Sequence, residues 1–515
     1  MSNKLTAMPK NVSHETMQKA IKAFVKIVGK ENVLIGDEEM LPYEKIMMAV
    51  PIEEHMPALA VQASTKEQVV EIVKVCDKYV IPIWTFSTGK NMGYGTAAPA
   101  QRGSVILDLH KMNRIIEVNP DLCYAIVEPG VTYQQLFDYI HEKGYKLWLS
   151  CPAPSAIASP LGNTMDRGVG YTPYGEHFMM QCGMEIVLAD GSEFRTGMGG
   201  IENSTSWGVF KWGYGPYLDG IFTQSNYGIC TKMGMWLMPE PPAYKPFCIT
   251  FDKVEDVEKI VEVLRPLRIA NIIPNAFTIA STLYEAAGVV SRADYVDGNR
   301  AITDGEIEKI KKDTGMGTWN VYAGLYGTEE ANELNWKIIQ SAVSANFKNV
   351  AFLTAAEMGD DPIFTYRADL MRGYMTLQEF GLYNWRGGGG SMWFAPVAPA
   401  EGKHTLNQSA LAKKILNKYE FDYVAEFIVG WRDMHHIVDL LYNRNDPEEM
   451  QRAHDCYAEL VREFAAQGYG VYRTSSGFMD LVAETYGPEI HNVFQKIKRA
   501  LDPKGILAPG KSGIY

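Results

Sequence analysis

Apolar positions recur at two spacings along the first 240 residues, one suited to helices and one to strands. Ser64 followed by Glu67 reads as a capping box. It opens a helix with Val69, Val70, Ile72, Val73 and Cys76 on its apolar side. Ile81-Pro-Ile83 reads as a short strand running into a glycine-rich turn. Residues 104–109 and 124–127 read as further strands, the second stopped by Pro129-Gly130. A helical spacing from about Tyr133 to Glu142 ends at Gly144. Residues 184–188 read as a strand entering a hairpin-type turn at Asp190-Gly191, and 233–237 as another. The pattern predicts an α+β fold in which strands predominate.

Pro239, Pro241, Pro242 and Pro246 crowd into one short stretch and predict a domain junction. Beyond it, 254–269 reads as a helix, and helices alternate with short strands to about residue 468. This second region holds the run Gly387-Gly-Gly-Gly390, and the final stretch from Leu501 is rich in turns. At 515 residues the chain exceeds one ordinary core, so roughly two to four domains are expected.

Composition narrows the classes. The formal net charge of −12 argues against a broad nucleic-acid surface, which needs clustered Lys and Arg, but leaves room for a basic partner protein. The seven cysteines form no CxxC pair and no CxxCH. That excludes a zinc ribbon and a covalent haem and predicts buried, reduced thiols. Residues 1–10 lack the apolar stretch of a secretory signal, and no apolar run approaches the roughly 18 residues of a membrane helix. A soluble chain without an export address of its own is the expectation.

The candidate chemistry begins at Ser87-Thr-Gly-Lys-Asn-Met-Gly-Tyr-Gly95. It follows a strand, and its glycines let backbone N–H groups approach an anion closely. It is not a Walker loop, and no GxGxxG follows a strand, so a nicotinamide Rossmann site is excluded. Gly162-Asn-Thr164, Arg167-Gly-Val-Gly170 and Asp219-Gly-Ile221 are similar cradles; each alone is equally an ordinary turn. In order, however, the first loop, Val127-Glu-Pro-Gly130, Gly162-Asn163, Gly228-Ile229 and Pro509-Gly-Lys-Ser-Gly513 form a series. With Gly168-Val-Gly-Tyr-Thr-Pro-Tyr-Gly175, Met434-His-His-Ile437 and Tyr472-Arg-Thr474, that series resembles the vanillyl-alcohol oxidase and p-cresol methylhydroxylase family of flavoproteins over nearly the whole chain.

The resemblance implies a two-domain α+β protein. Residues 1–242, with 469–515 returning to them, would bind FAD, and 243–468 would form an α/β cap over the flavin. It assigns FAD contacts to Ser87, Thr88, Gly89, Lys90, Asn91, Met92, Gly162, Asn163, Arg167, Gly228, Ile229 and Lys511. Lys511 would place a positive charge beside the flavin N1 and O2, favouring the anionic reduced ring, or be a solvated terminal lysine. Histidyl-linked members carry their histidine where this chain has Ser391. Tyr383 instead lies in a segment resembling the one that bears a tyrosyl flavin ligand, giving an 8α-O-tyrosyl link; the alternative is aromatic packing.

The implied reaction is oxidation and hydroxylation at the benzylic carbon of a para-alkylphenol, p-cresol to 4-hydroxybenzyl alcohol and aldehyde. Hydride leaves such a carbon far more easily when the phenol is already a phenolate, because the product is then a neutral quinone methide. An ordinary phenol has a pKa of about 10, so the site must favour the anion. The resemblance places Tyr94, Tyr472 and Arg473 around the phenol oxygen. Water must then attack the intermediate, with general-base help. Glu379, Glu426, His435 and Asp439 are the candidates. Glu426 stands in an apolar run where a carboxylate is expensive unless used, and the family's aspartate in the loop corresponding to 151–154 is absent. His435 and Asp439, four apart, share a face if helical; a buried polar network stabilising the cap is the alternative for this group.

The resemblance further implies electron transfer to a separate c-type cytochrome subunit, a homodimer of flavin subunits, and a periplasmic address by way of the cytochrome, the cytoplasm otherwise. A vanillyl-alcohol or eugenol-type oxidase that uses oxygen is the alternative within the family. A non-catalytic flavin or phenol carrier is the alternative outside it.

Overall fold

The computed structural model describes Leu5 and residues 7–44, 46–153 and 155–515. Pro154, the last residue of the 151–154 loop, lies outside the described residues.

The first region builds two sheets. A four-stranded sheet runs in the order Val33–Leu34, Leu59–Gln62, Val105–Asp108, Ile83–Phe86, and its last three strands are parallel. The helix Lys66–Tyr79 packs on it through Val69, Ile72, Val73 and Cys76. Its cap is Thr65, not Ser64: the Thr65 hydroxyl accepts from the Gln68 N–H at 3.3 Å, while the Ser64 N–H donates to the Gln68 side chain at 2.8 Å. No reciprocal box forms, because Gln68 answers the residue before the cap and not Thr65 itself. The strand expected at 81–83 begins at Ile83, because Pro82 has no N–H to donate. An antiparallel five-stranded sheet follows, in the order Ile115–Asn119, Tyr124–Val127, Ile229–Trp236, Gln181–Val187, Glu193–Arg195.

The second region differs from the expected short strands. It forms one eight-stranded antiparallel sheet whose strands Ala243–Phe251, Trp319–Gly327 and Asp433–Tyr442 are 9, 9 and 10 residues long. Pro246 lies inside Ala243–Phe251, not in a linker. It sits opposite Gly324, just before pairing with Val350–Thr354 begins at Phe247, so its missing N–H breaks no bond on that edge. Side chains alternate across the sheet. One face, with Phe247, Ile249, Phe427, Val429 and Val438, is covered by the helices Asp256–Ile269, Glu329–Ser344, Gly402–Lys418 and Pro447–Ala466. The opposite face, with Cys248, Tyr322, Ile428 and Ile437, packs with Leu149, Tyr171 and Ile514 of the first region and its return, and with the helix Pro362–Met371.

His435 and Asp439 are on the strand Asp433–Tyr442, not on a helix. They share a face because four is an even number of strand residues. The register sets Glu426 opposite Ile437 and Ile428 opposite His435, so Glu426 lies on that face too, turned toward the first region.

The chain's end returns to the first sheet. The Ile83 N–H donates to Ile506 O at 2.7 Å and the Ala508 N–H to Ile83 O at 2.6 Å. Lys498, wholly buried, pins this return: its Nζ donates to Asp502 Oδ2, Leu507 O and Asn226 O at 2.7, 2.7 and 2.9 Å. Asp502 in turn accepts from the Ile506 and Leu507 N–H groups. Removing one partner of such a buried pair leaves an uncompensated charge. Lys498→Met is expected to lower stability by about 3–5 kcal/mol in denaturant titration.

All seven cysteines are unpaired; six are buried, and Cys123 is half-buried, against expectation. Among the described residues no helix is long and apolar enough to cross a membrane.

Candidate active site

The turn after strand Ile83–Phe86 opens a long cleft of about 1300 Å³, its mouth included. Ser87, Thr88, Gly89, Lys90 and Asn91 line one side, Gly162, Asn163, Gly228 and Ile229 the other, and Lys511 one end. Gly89, Gly93 and Gly95 have positive φ, which lets the turn curl tightly. Among the described residues, no backbone N–H from Ser87 to Met92 has an acceptor within the protein. Such a row of free N–H groups suits an anion like a pyrophosphate. A side chain at Gly162 would lie 2.1 Å from the Ser87 hydroxyl, so the close approach of helix Pro160–Met165 to the turn requires glycine. Ser225 Oγ and Asn226 Oδ1, beside the same cleft, are buried without a partner. An elongated cleft, a row of free donors at its turn and unmet polar atoms along its wall fit FAD.

Two expected contacts depart from this cleft, and a third, Lys511, lines it as an ion-pair partner. Met92 packs with Tyr383, Leu382 and Trp385. Arg167 points into a neighbouring cavity and donates to the Thr223 hydroxyl at 3.0 Å. A second bond, to Gly220 O at 3.4 Å, and the wall of that cavity hold it there. Lys511 is half-buried and ion-paired: its Nζ pairs with Asp166 Oδ1 at 2.8 Å, and Asn91 donates to the other Asp166 oxygen at 3.4 Å. Asp219, in the third cradle, is a buried acceptor from Gln181 at 2.6 Å and does not line the cleft.

At the cleft's inner end Arg473 sits between two tyrosines. Its guanidinium lies 4.1 Å from the Tyr94 ring centre and 5.1 Å from that of Tyr472. The bridge Pro396–Val471 and the bond from Tyr472 N–H to Ala395 O bring this segment against the large sheet. Trp393 meets Tyr94 edge-on at 5.6 Å, and His435 stacks on Tyr472 at 4.6 Å and 23°. Tyr94 Oη and Arg473 Nε are buried and without partners among the described residues. Burial holds the Tyr94 phenol far above its ordinary range, Tyr472 adding to this and Arg473 opposing it. Arg473 lies above its own ordinary value, because the two tyrosines outweigh the burial that opposes its charge. Both therefore remain hydrogen-bond donors at any working pH. The neighbouring His177, buried and beside Arg473, is pushed down to about 3 and stays neutral; it contacts Asn163 Oδ1 at 2.6 Å.

The remaining candidates separate into two groups. Asp439 accepts from the Ser391 hydroxyl at 2.7 Å, and its other oxygen has no partner. Burial raises it to about 8, with Ser391 opposing and Glu379 adding. Tyr383 is buried, its hydroxyl unpartnered, and it is held well above the ordinary phenol range by burial, then by Asp439 and Glu379. The other group joins Glu379 and Glu426. Glu379 accepts from the Tyr284 and Tyr366 hydroxyls at 2.5 and 3.4 Å, and Glu426 pairs with Arg367 at 2.8 Å. His435 bonds neither Glu426 nor Asp439; its Nε2 lies 3.4 Å from Asp433.

Arg367, Glu285, Tyr284 and Tyr366 join the candidates Glu379 and Glu426 in one buried cluster, and the sequence reading missed them. The signal was present: Arg367 stands in the apolar helix Pro362–Met371 and Glu285 in Thr282–Ala286, both charges in settings as costly as that of Glu426.

Residues 57–197 match the FAD binding domain, and residues 253–512 match the C-terminal domain of FAD linked oxidases. The 4-cresol dehydrogenase [hydroxylating] flavoprotein subunit of Pseudomonas putida is 56% identical over 98% of this chain and 97% of its own. A crystal structure of p-cresol methylhydroxylase with substrate bound superimposes with a TM-score of 0.98 at 56% identity, covering 99% of both chains. The 4-ethylphenol oxidase from Gulosibacter chungangensis, in complex with isoeugenol, gives 0.96 at 37% identity, also over 99% of both. The chain belongs to the vanillyl-alcohol oxidase and p-cresol methylhydroxylase family of flavoproteins and is an FAD-dependent oxidoreductase.

Proposed function

We propose that the protein oxidises and hydroxylates the benzylic carbon of para-alkylphenols, p-cresol among them, and passes the electrons to a c-type cytochrome subunit. The observation that carries this reading is the clamp: two tyrosines around a half-buried arginine, with the buried Tyr94 Oη and Arg473 Nε unmet. Donors to a charged oxygen contribute about 1.5–3 kcal/mol each, enough in sum to favour a phenolate over the phenol. FAD, bound along the cleft, supplies the hydride acceptor. Arg473, Tyr94 and Tyr472 hold the phenolate oxygen, so that loss of hydride leaves a neutral quinone methide. Glu426 takes the proton from the water that adds to it.

Residues 1–242 and 469–515 form the FAD-binding unit in this reading, and 243–468 the cap. Tyr383 carries the flavin through an 8α-O-tyrosyl bond; its buried, unpartnered hydroxyl and the serine at 391 support this. The Pseudomonas putida relative is named a flavoprotein subunit, which supports a partner chain here. We also propose pairing of two flavin subunits and a periplasmic address.

A second reading, an oxidase using oxygen, is favoured by the similarity to 4-ethylphenol oxidase. The deciding experiment gives the FAD-loaded chain p-cresol with either oxygen or a c-type cytochrome as acceptor. Cytochrome reduction outpacing oxygen consumption supports the first reading, and rapid oxygen uptake with peroxide release supports the second. Flavin that is reduced once and never turns over with any acceptor would indicate a carrier.

The hydration step has its own test. Glu426→Gln is nearly isosteric but cannot accept the proton. Flavin bleaching on rapid mixing should remain prompt and be followed by slow decay of a quinone-methide absorbance. Slow bleaching without that intermediate would remove Glu426 from hydration and turn attention to Glu379.

A further inference from the structure

Three carboxyl groups surround one guanidinium in fully buried space. Arg367 Nη2 donates to Glu285 Oε1 and to Glu426 Oε2, both at 2.8 Å. Its Nε and Nη1 have no acceptor, and the rings of Tyr284, Tyr322 and Tyr366 face the guanidinium at 5.4, 5.3 and 5.3 Å. The arginine therefore hydrogen-bonds two of the carboxylates and not the third, Glu379, whose hydrogen bonds come from the Tyr284 and Tyr366 hydroxyls.

Three ionised carboxylates beside one guanidinium would leave an excess of two negative charges among buried side chains, which favours keeping a proton in the cluster. Glu379, lacking a cation of its own, is where that proton is held most cheaply. Burial and then Glu426 push it up to about 7. Glu426 and Glu285 are also raised by burial, with Arg367 the foremost opposing group in both, whereas for Glu379 its charge ranks behind the Tyr284 hydrogen bond. The other ionisable groups around the cluster are Tyr171, Tyr284, Tyr322, Tyr366, Cys248, Asp361 and Asp439. Burial keeps the four tyrosines and Cys248 far up and neutral.

Building on the proposed reaction, we propose that Arg367, held in place by Glu285, is a positioning residue that keeps Glu426 ionised as the water-activating base while the cluster's proton stays on Glu379. In the step itself, the water oxygen bonds to the benzylic carbon, its proton passes to Glu426, and the electrons of the exocyclic double bond return to the phenolate oxygen. No further oxidant or reductant is needed.

The prediction is a pair of opposite shifts. In Glu285→Gln, which keeps size and an acceptor oxygen, the whole charge of Arg367 falls to Glu426. The acid limb of quinone-methide decay should move to lower pH. In Arg367→Gln the carboxylates lose their cation, and the limb should move up by about one unit or more, with decay on the acid side of the limb slowed about 10-fold. Arg367→Lys should restore part of the shift. A merely structural role would weaken folding or flavin retention in these variants and leave the limb in place, which would overturn the proposal.

A second measurement needs no substrate. Infrared titration of the FAD-loaded protein should show a buried carboxylic-acid band that titrates near pH 7, is lost in Glu379→Gln and persists in Glu285→Gln. Asp439, raised to about 8, contributes its own band, and the Glu379 variant separates the two. A band lost in Glu426→Gln but kept in Glu379→Gln would overturn the assignment even if Arg367→Gln failed to fold. Absence of any flavin bleaching by para-alkylphenols is a different outcome: it would defeat the proposed reaction and leave the infrared result to stand alone.

Discussion

Arg473→Lys should lower the rate of flavin reduction by a para-alkylphenol about 10- to 1,000-fold, in line with loss of one preorganised electrostatic donor. The size follows from geometry. The arginine is half-buried, lies against the rings of Tyr94 and Tyr472, and keeps a buried, unpartnered Nε, as Tyr94 keeps an unpartnered hydroxyl. A planar fork stacked between rings fixes its donors in direction, whereas an ammonium on a flexible stem is a point charge with three rotating donors. The charge survives the substitution and the aim does not. Less phenolate is then bound at a given pH, and the barrier to hydride loss rises. Stopped-flow bleaching under anaerobic conditions measures this directly. A rate equal to that of the unsubstituted protein would remove Arg473 from the mechanism.

The second large effect is close to all-or-none. The unsubstituted protein should keep its flavin through denaturation, with an intact mass equal to chain plus FAD. Tyr383→Phe should fold, bind FAD and release it entirely when denatured. Folding should be spared because the lost hydroxyl has no hydrogen bond to give up and the ring still packs with Leu382, Trp385 and Met92. Turnover should slow as well, on the view that the covalent link raises the flavin potential. Flavin that stayed with the Tyr383→Phe chain would place the bond elsewhere. Ser391 is not a substitute, because its hydroxyl is already committed to Asp439.

The glycine turn was legible because it is local, a turn needing its glycines in sequence; the clamp and the C-terminal return join distant segments and came only through the family resemblance. What escaped was set by partners distant in sequence. Arg367 meets Glu426 across 59 residues and Glu285 across 82, and no spacing rule reaches that far. A separation of four, as in His435 and Asp439, suits one helical face and one strand face equally. Only the neighbouring strands Ala425–Val429 and Gly390–Phe394 decide between them. Pro246 argued for a linker because proline is expected outside sheets, and the sheet accommodates it where one edge has no partner yet. Lys511 was placed as a free charge near the flavin, whereas Asp166 neutralises much of it, a pairing across 345 residues.

The central claim is that this clamp and cleft oxidise a para-alkylphenol at its benzylic carbon, and anaerobic mixing of the FAD-loaded protein with p-cresol tests it most directly. The account predicts stoichiometric flavin bleaching with 4-hydroxybenzyl alcohol as product, its new oxygen drawn from labelled water. A flavin that dithionite reduces but that p-cresol and its longer para-alkyl homologues leave fully oxidised would contradict it.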